Sequence, residues 1–254
     1  MLEPGLVSIT FRSLTCKEIA ALVKKAGLSS IEWGGDVHVP QGDIKKARET
    51  RKMTEDAGLS TAAYGSYYRT GCELVKTGEK ADFQKTLETA LELNAPVIRV
   101  WAGDRGSAEA DSAWREKIIE ESRKISDEAE KEGITIAFEF HGGTLTDTNE
   151  SALELIEGIN RENVKTYWQP SVGSSMDYRL QGLRMLLPRL SHIHAFHWEG
   201  RERRPFSEGK EEWKKYISLI EQAKGDRHIM LEFVKDESPE QFLRDAEVLK
   251  KLTA

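Results

Sequence analysis

Four short stretches decide the fold: Phe138-Glu139-Phe140-His141, Trp168-Gln169-Pro170, His192-Ile193-His194-Ala195-Phe196-His197 and Leu231-Glu232-Phe233. Each follows or interrupts a run of Val, Ile, Leu or aromatic residues, and a helix-like segment separates each from the next. A carboxylate inside a strand of a covered parallel sheet loses most of its hydration, which is costly unless a cation or a partner compensates. A single buried glutamate is explained by one ion pair. Two glutamates, a histidine cluster and a glutamine at comparable points of successive strand–helix units point instead to convergence on one divalent metal.

Working outward, apolar runs alternate with helix patterns about eight times. Strands are predicted at Leu6–Phe11, Ser30–Trp33, Thr61–Tyr64, Pro96–Trp101, Ile134–Phe140, Val164–Trp168, Ile193–Phe196 and Ile229–Val234. Between them Thr15-Cys16-Lys17-Glu18 has capping-box form, Asp43 reads as a cap, Gly27, Gly58 and Gly133 end helices, and Pro188 stops a short helix from Leu180 to Leu187. Several strands read as apolar without alternation, as parallel strands covered on both faces do. Eight such units with no second zone of composition predict a single (β/α)8 TIM barrel spanning residues 1–254. A doubly wound open sheet competes, but strand one leads into Arg12-Ser13-Leu14-Thr15 rather than a glycine-rich phosphate turn.

The composition excludes more than it selects. With 39% hydrophobic and 31% charged residues the chain can build a large core, and no apolar run reaches the roughly 20 residues that span a bilayer. Met1-Leu2-Glu3-Pro4 opens no signal peptide, and Cys16 and Cys72 show neither metal nor redox spacing, so the expectation is free thiols in the cytoplasm. A net charge of −6 argues against nucleic acid as the ligand and leaves a small polar substrate open. Self-association as a homo-oligomer is neither required nor excluded.

Further candidates belong to the same rim. Of the two histidines spaced by three, His194 lies deeper in the apolar run and is taken as the ligand, with His197 meeting substrate. Glu32 ends strand two before Gly34-Gly35, and His38 lies on the loop beyond. Tyr67 follows strand three and is assigned to substrate. Arg99, inside Val97-Ile98-Arg99-Val100, needs an anion: Glu32, Glu139 or a substrate oxygen. His141 stands two residues after Glu139, on the same face of a regular strand, which suits acid–base chemistry beside a metal. Arg203 represents the basic loop Arg201 to Arg204 after strand seven.

The motifs Ile31-Glu32-Trp33-Gly34, Ala102-Gly103-Asp104-Arg105-Gly106-Ser107, Thr144-Leu145-Thr146-Asp147-Thr148 and His192-Ile193-His194 give the chain its resemblance. Over essentially its full length it resembles the xylose isomerase-like TIM-barrel superfamily, and these motifs look particularly like the dehydroshikimate dehydratase branch. The loop from His194 to Gly209, containing Arg203-Arg204-Pro205, is similar to that of ketose 3-epimerases. The resemblance implies a divalent metal (Mn²⁺, Mg²⁺, Co²⁺ or Zn²⁺) on Glu139, Gln169, His194 and Glu232. Gln169 stands where the family has Asp, and Val172 where it has His, so the ligand set carries two negative charges instead of three. The implied reaction is proton abstraction next to the carbonyl of a small sugar or polyol. The leading expectation is an isomerase/epimerase using Glu139 and Glu232 on opposite substrate faces; the alternative is a dehydroshikimate dehydratase-like lyase, in which Glu32 or His141 would move protons. A non-catalytic binding protein on a degenerate barrel is the alternative of a different class.

Overall fold

The computed structural model describes residues 1–75 and 78–254. Parallel strands β1 (Leu2–Val7), β2 (Ser30–Gly34), β3 (Ser60–Arg69), β4 (Val97–Trp101), β5 (Thr135–Phe138), β6 (Val164–Trp168), β7 (Leu190–Ala195) and β10 (Arg227–Leu231) close into a barrel in chain order. β1 completes it by pairing with β2 on one side and β10 on the other. A two-stranded antiparallel hairpin, β8 (Trp198–Glu199) and β9 (Glu202–Arg203), follows β7. The outer ring is α1 (Cys16–Ala26), α2 (Ile44–Asp56), α3 (Phe83–Glu92), α4 (Ser112–Lys131), α5 (Asn149–Ile159), α6 (Met176–Leu186), α7 (Lys210–Ile220) and α8 (Pro239–Leu252). The predicted (β/α)8 barrel is what the chain forms.

The helices start where short polar side chains take up orphan backbone donors. Thr15 and Glu18 form the predicted capping box, and Asp43, Asp82, Asp111, Thr148, Ser175 and Ser238 each accept from a backbone N–H of the first turn. Ser175 explains one difference from expectation: α6 begins at Met176, a turn earlier than Leu180. Strand one also differs, ending at Val7 before a 3-10 turn over Ser8–Phe11. Pro4 and Gly5 argue against a strand locally, yet pairing with β10 carries them, Pro4 opposite Ile229 and Gly5 opposite Met230.

The strands are less uniformly apolar than they read. Their outward residues, such as Ile31, Trp33, Ile98, Val100, Ile136, Phe138, Ile193 and Leu231, join the large core beneath the helices. Their inward residues at period two include many polar or small ones: Glu32; Arg99; Ala137; Tyr167; His192 and His194; His228. Ala63, Ala137, Val97, Tyr167 and Met230 form the separate core inside the barrel. Small residues on some strands thus make room for Arg99 and Tyr167 reaching from others. Gly65 is required by this: a Cβ there would lie 2.7 Å from Arg99 Nη2 and 2.8 Å from Glu32 Oε1.

Candidate metal centre and active site

Three strands end one residue before a potential ligand. β5 stops at Phe138, β6 at Trp168 and β10 at Leu231, so Glu139, Gln169 and Glu232 are the first residues released at the C-terminal rim. His194 projects inward from β7 and is fully buried. Its Nδ1 is the common point: Gln169 Oε1 lies 3.2 Å away, Glu232 Oε2 3.5 Å and Glu139 Oε1 3.7 Å. Ligand atoms each about 2.1 Å from one ion stand about 3.0–3.4 Å apart in octahedral or tetrahedral arrangements. The Gln169 distance lies in that range and the two glutamate distances are slightly longer, while the ligand atoms of Glu139, His194 and Glu232 all lie within 4.8 Å of one another, which makes this cluster the candidate divalent-cation site. Gln169 Nε2 donates to the Phe140 carbonyl at 2.7 Å, which fixes the amide so that its oxygen is the atom turned toward the site.

Below this set lies a charged support. His194 Nε2 faces Glu32 Oε2 at 3.3 Å, so Nε2–H donates to the carboxylate and the Nδ1 lone pair is left for a ligand bond. Tyr167 donates its hydroxyl to the same Glu32 oxygen at 2.8 Å. Arg99, almost fully buried, donates Nε to Glu32 Oε1 at 2.7 Å and Nη1 to Glu139 Oε2. Trp101 Nε1 donates to that same Glu139 oxygen at 2.5 Å. Three buried carboxylates (Glu32, Glu139, Glu232) against one guanidinium leave two negative charges, which one divalent cation would cancel.

These neighbours divide the two rim glutamates. Burial alone would raise Glu139, but Arg99, His194 and His141 hold it below the usual carboxylate value. Burial pushes Glu232 up to about 7, with His194 opposing and Glu139 adding to the rise. Burial disfavours charge on His194, but Glu232, Glu32 and Glu139 outweigh it and raise the imidazole to about 9. Without a metal, then, a proton on His194 supplies part of the missing positive charge.

A cavity of about 470 Å³ opens above the donors, lined among others by Arg12, Tyr67, Trp101, His141, Asp147 and Phe233. His141 stacks on Trp101 with ring centroids 4.5 Å apart, and its Nδ1 donates to the Gly142 carbonyl at 2.7 Å, leaving Nε2 as its free nitrogen. Tyr67 lies over Arg99 and shares its hydroxyl with Arg12 Nη2 at 3.2 Å. Tyr67 and Phe233 both hold left-handed backbone, with φ of 57° and 48°, and both line this cavity. Such conformations in bulky residues cost energy and concentrate at functional sites.

Other expected site residues fall elsewhere. Glu32 is fully buried beneath His194, so it orients that ring and does not reach substrate, correcting its assignment as a proton carrier. Arg99 touches the cavity floor, but two glutamates occupy its guanidinium, so it braces the site instead of gripping substrate. His38 is also withdrawn from substrate: it is buried, bonded to Ser8 Oγ at 3.0 Å and to the Leu14 carbonyl at 3.2 Å, and packed against Trp33. His197 lies outside the mouth, beside Gly209 and grouped with Glu199 and Glu208. Arg203 pairs with Glu237 at 3.0 Å and covers the Phe233 ring, so it supports the wall from behind.

Sequence reading passed over Arg12, Trp101, Asp147 and Tyr167. Trp101 and Tyr167 are two residues from Arg99 and Gln169 on the inward face of their strands, so period-two counting reaches both. Asp147 sits in the Thr144–Thr148 motif; its Oδ2 accepts from the Ser107 N–H at 3.0 Å, and its buried Oδ1 has no hydrogen-bond partner among the described residues. Arg12 pairs with Asp36 beyond the first strand.

A sequence profile described as the xylose isomerase-like TIM barrel matches residues 20–252. Over 92 residues the chain is 33% identical to the 3-dehydroshikimate dehydratase of Bacillus anthracis, an alignment covering 34% of this chain and about a third (33%) of that protein. Among solved structures, the probable 3-DHS dehydratase AsbF of B. anthracis superposes with a TM-score of 0.78 at 20% identity, covering 98% of this chain and 99% of that one. The D-psicose 3-epimerase of Clostridium cellulolyticum H10 gives 0.71 at 15% identity over 99% and 98% of the two chains. A xylose isomerase-like TIM barrel protein of Mycobacterium smegmatis, in complex with magnesium, gives 0.71 at 16% identity over 100% and 98%. At these identities the superpositions speak to the fold. The profile match covers most of the sequence, and the chain belongs to the xylose isomerase-like TIM barrel family.

Proposed function

We propose that the protein is a divalent-metal-dependent enzyme that enolises a small, polyhydroxylated carbonyl compound. The observation that carries this reading is the convergence of Glu139 Oε1, Gln169 Oε1 and Glu232 Oε2 around His194 Nδ1 beneath a cavity of small-molecule size. A bound cation there would polarise the substrate carbonyl and share the charge of the enolate.

The side chains then differ in what they can do. The Glu232 carboxylate accepts no hydrogen bond among the described residues and faces His194 Nδ1 at 3.5 Å, and its raised pKa suits accepting a proton near neutrality. Glu139 has Oε2 taken by Arg99 and Trp101 and Oε1 turned to the ligand set, so neither oxygen is left to carry a substrate proton. Epimerisation by two glutamates needs both to exchange protons, one on each face of the substrate. Elimination needs one base and one acid. Glu232 would take the proton next to the carbonyl, the enolate would expel a hydroxyl at the adjacent carbon, and His141 Nε2, as imidazolium, would give that group its proton so that water leaves. We therefore favour a dehydratase-like lyase over an epimerase, in keeping with the local similarity to a 3-dehydroshikimate dehydratase.

Two measurements test this. Elemental analysis of purified protein, with and without Mn²⁺ loading, should give about one divalent cation per chain by the four-ligand count. A panel of hydroxylated carbonyl compounds, including dehydroshikimate and ketohexoses, should then show Mn²⁺-dependent loss of water from one of them. Interconversion of ketose epimers would return the assignment to an epimerase. No metal uptake and no turnover would leave the non-catalytic binding protein as the better reading.

A further inference from the structure

Trp101 occupies a position that the proposed chemistry does not by itself require. It ends β4, 8% exposed, and its carbonyl is fixed by the N–H of Thr70 at 3.0 Å. Its ring meets four groups. The indole N–H donates to Glu139 Oε2. The His141 ring stacks on it at 4.5 Å and 25°. The Arg69 guanidinium carbon lies 4.5 Å from the ring centroid, and the Tyr67 ring meets it edge-on at 5.4 Å. His141 and Arg69 are equally close to the centroid, and a ring of this size has room for one such group on each face. Arg69 Nε has no hydrogen-bond partner among the described residues, so the indole face is a principal contact of that cation.

We propose that Trp101 is a positioning residue that ties a metal ligand to the proton-carrying histidine. One rigid indole sets where Glu139 Oε1 points, by holding Oε2, and where the His141 ring lies, by providing the surface it stacks on. Arg99 anchors Glu139 from below; Trp101 anchors it from the side on which His141 stands. Arg69 on the indole increases the ring's contact with a cation and leaves His141 the remaining face. Phenylalanine keeps the stacking surface but has no N–H, so the two roles of Trp101 can be separated.

The inference rests on the proposed metal site, and the experiment separates the two. Wild-type protein is titrated with Mn²⁺ alone: no binding defeats the metal site itself. If wild type binds, Trp101→Phe should weaken Mn²⁺ binding by about 10–100-fold, the usual effect of losing a partner that orients a ligand. In a Glu139→Gln background the same substitution should change Mn²⁺ affinity less than threefold, because the group it orients has already been altered. Equal effects in both backgrounds, or none in wild type, would overturn the proposal and leave Trp101 as packing. Should Trp101→Phe fail to fold, the wild-type spectrum of indole N–H groups carries the test. Of the six tryptophans, the one hydrogen-bonded to Glu139 should shift when diamagnetic Mg²⁺ saturates the site. Trp198→Phe, on the outer cavity wall, identifies the other nearby indole by its loss. Movement of the Trp198 signal alone would also overturn the proposal.

Discussion

Replacing Arg99 by methionine tests the support beneath the candidate metal site. The guanidinium is about 1% exposed and bridges Glu32 and Glu139, each about 5% exposed or less. Methionine fills similar space but leaves two buried carboxylates without their cation. Removing one partner of a buried ion pair costs about 3–5 kcal/mol. For a chain of this size each kcal/mol moves Tm by about 2–4 °C, so metal-free Arg99→Met should melt about 6–20 °C below wild type. Tyr167 and His194 still hold Glu32, and Trp101 still holds Glu139, which places the expected loss toward the lower part of that range. Adding Glu32→Gln should recover part of the loss by neutralising one stranded charge. Saturating Mn²⁺ should narrow the gap, because the cation supplies positive charge beside Glu139. Calorimetry of both proteins, with EDTA and with Mn²⁺, gives the comparison. A metal-free difference below about 2 °C, less than the 1 kcal/mol scale of a single exposed contact, would refute the bracing role of Arg99.

Four shorter predictions follow from the same geometry. Gly65→Ala should destabilise the fold by about 1–3 kcal/mol and weaken Mn²⁺ binding, since its Cβ would press on Arg99 Nη2 and Glu32 Oε1; urea unfolding and metal titration check both. Gln169→Asp should tighten Mn²⁺ binding in competition with a chelator by adding a charged oxygen ligand, and unchanged affinity would put Gln169 outside the coordination shell. Glu232→Gln should lower turnover by at least about 10²–10⁴ with Tm maintained, because an amide cannot accept the proton. His192 is held neutral between the His228 N–H and the Ala62 carbonyl, and burial lowers its pKa from 6.5 to about 3. Its folded pKa lies below its unfolded one, so stability falls as pH drops below about 6.5, by up to about 1.4 kcal/mol per pH unit. His192→Asn should flatten that slope relative to wild type in urea melts between about pH 6.5 and 4.5; parallel curves would remove His192 from the acid response.

The fold was legible because every outer helix but α7 declares its start with a capping side chain, and most barrel strands carry Ile, Val or Leu, β3 (Ser60–Arg69) being the exception. The clustering of the rim side chains was legible because Glu139 and Glu232 sit among aromatic and aliphatic residues where no solvent-facing glutamate belongs. Two kinds of residue were harder. Inward-facing Arg99, Trp101 and Tyr167 are hidden by their outward neighbours Ile98, Val100 and Trp168, whose bulk makes the strands read as apolar. Which rim side chains meet the cavity depends on loop paths. His38, His197 and Arg203 are close to the mouth in sequence, yet Ser8, Gly209 and Glu237 draw them away from it. Conversely, Arg12 reaches the mouth because the first strand ends early and a 3-10 turn carries the chain across the rim. Glu32 shows a third case: its strand and face were correct, but its depth in the barrel, set by the pairing of Val7 with Glu32, decides that it supports His194 instead of contacting substrate.

The central claim is that four side chains at the ends of consecutive barrel strands share one cation. Anomalous diffraction at the manganese edge from crystals grown with Mn²⁺ tests it directly. The account predicts a single strong peak bonded to Glu139 Oε1, Gln169 Oε1, His194 Nδ1 and Glu232 Oε2, with donor distances of about 2.0–2.4 Å. No peak among these four residues, or a cation held elsewhere with Arg99 and protonated His194 alone balancing the glutamates, would contradict it.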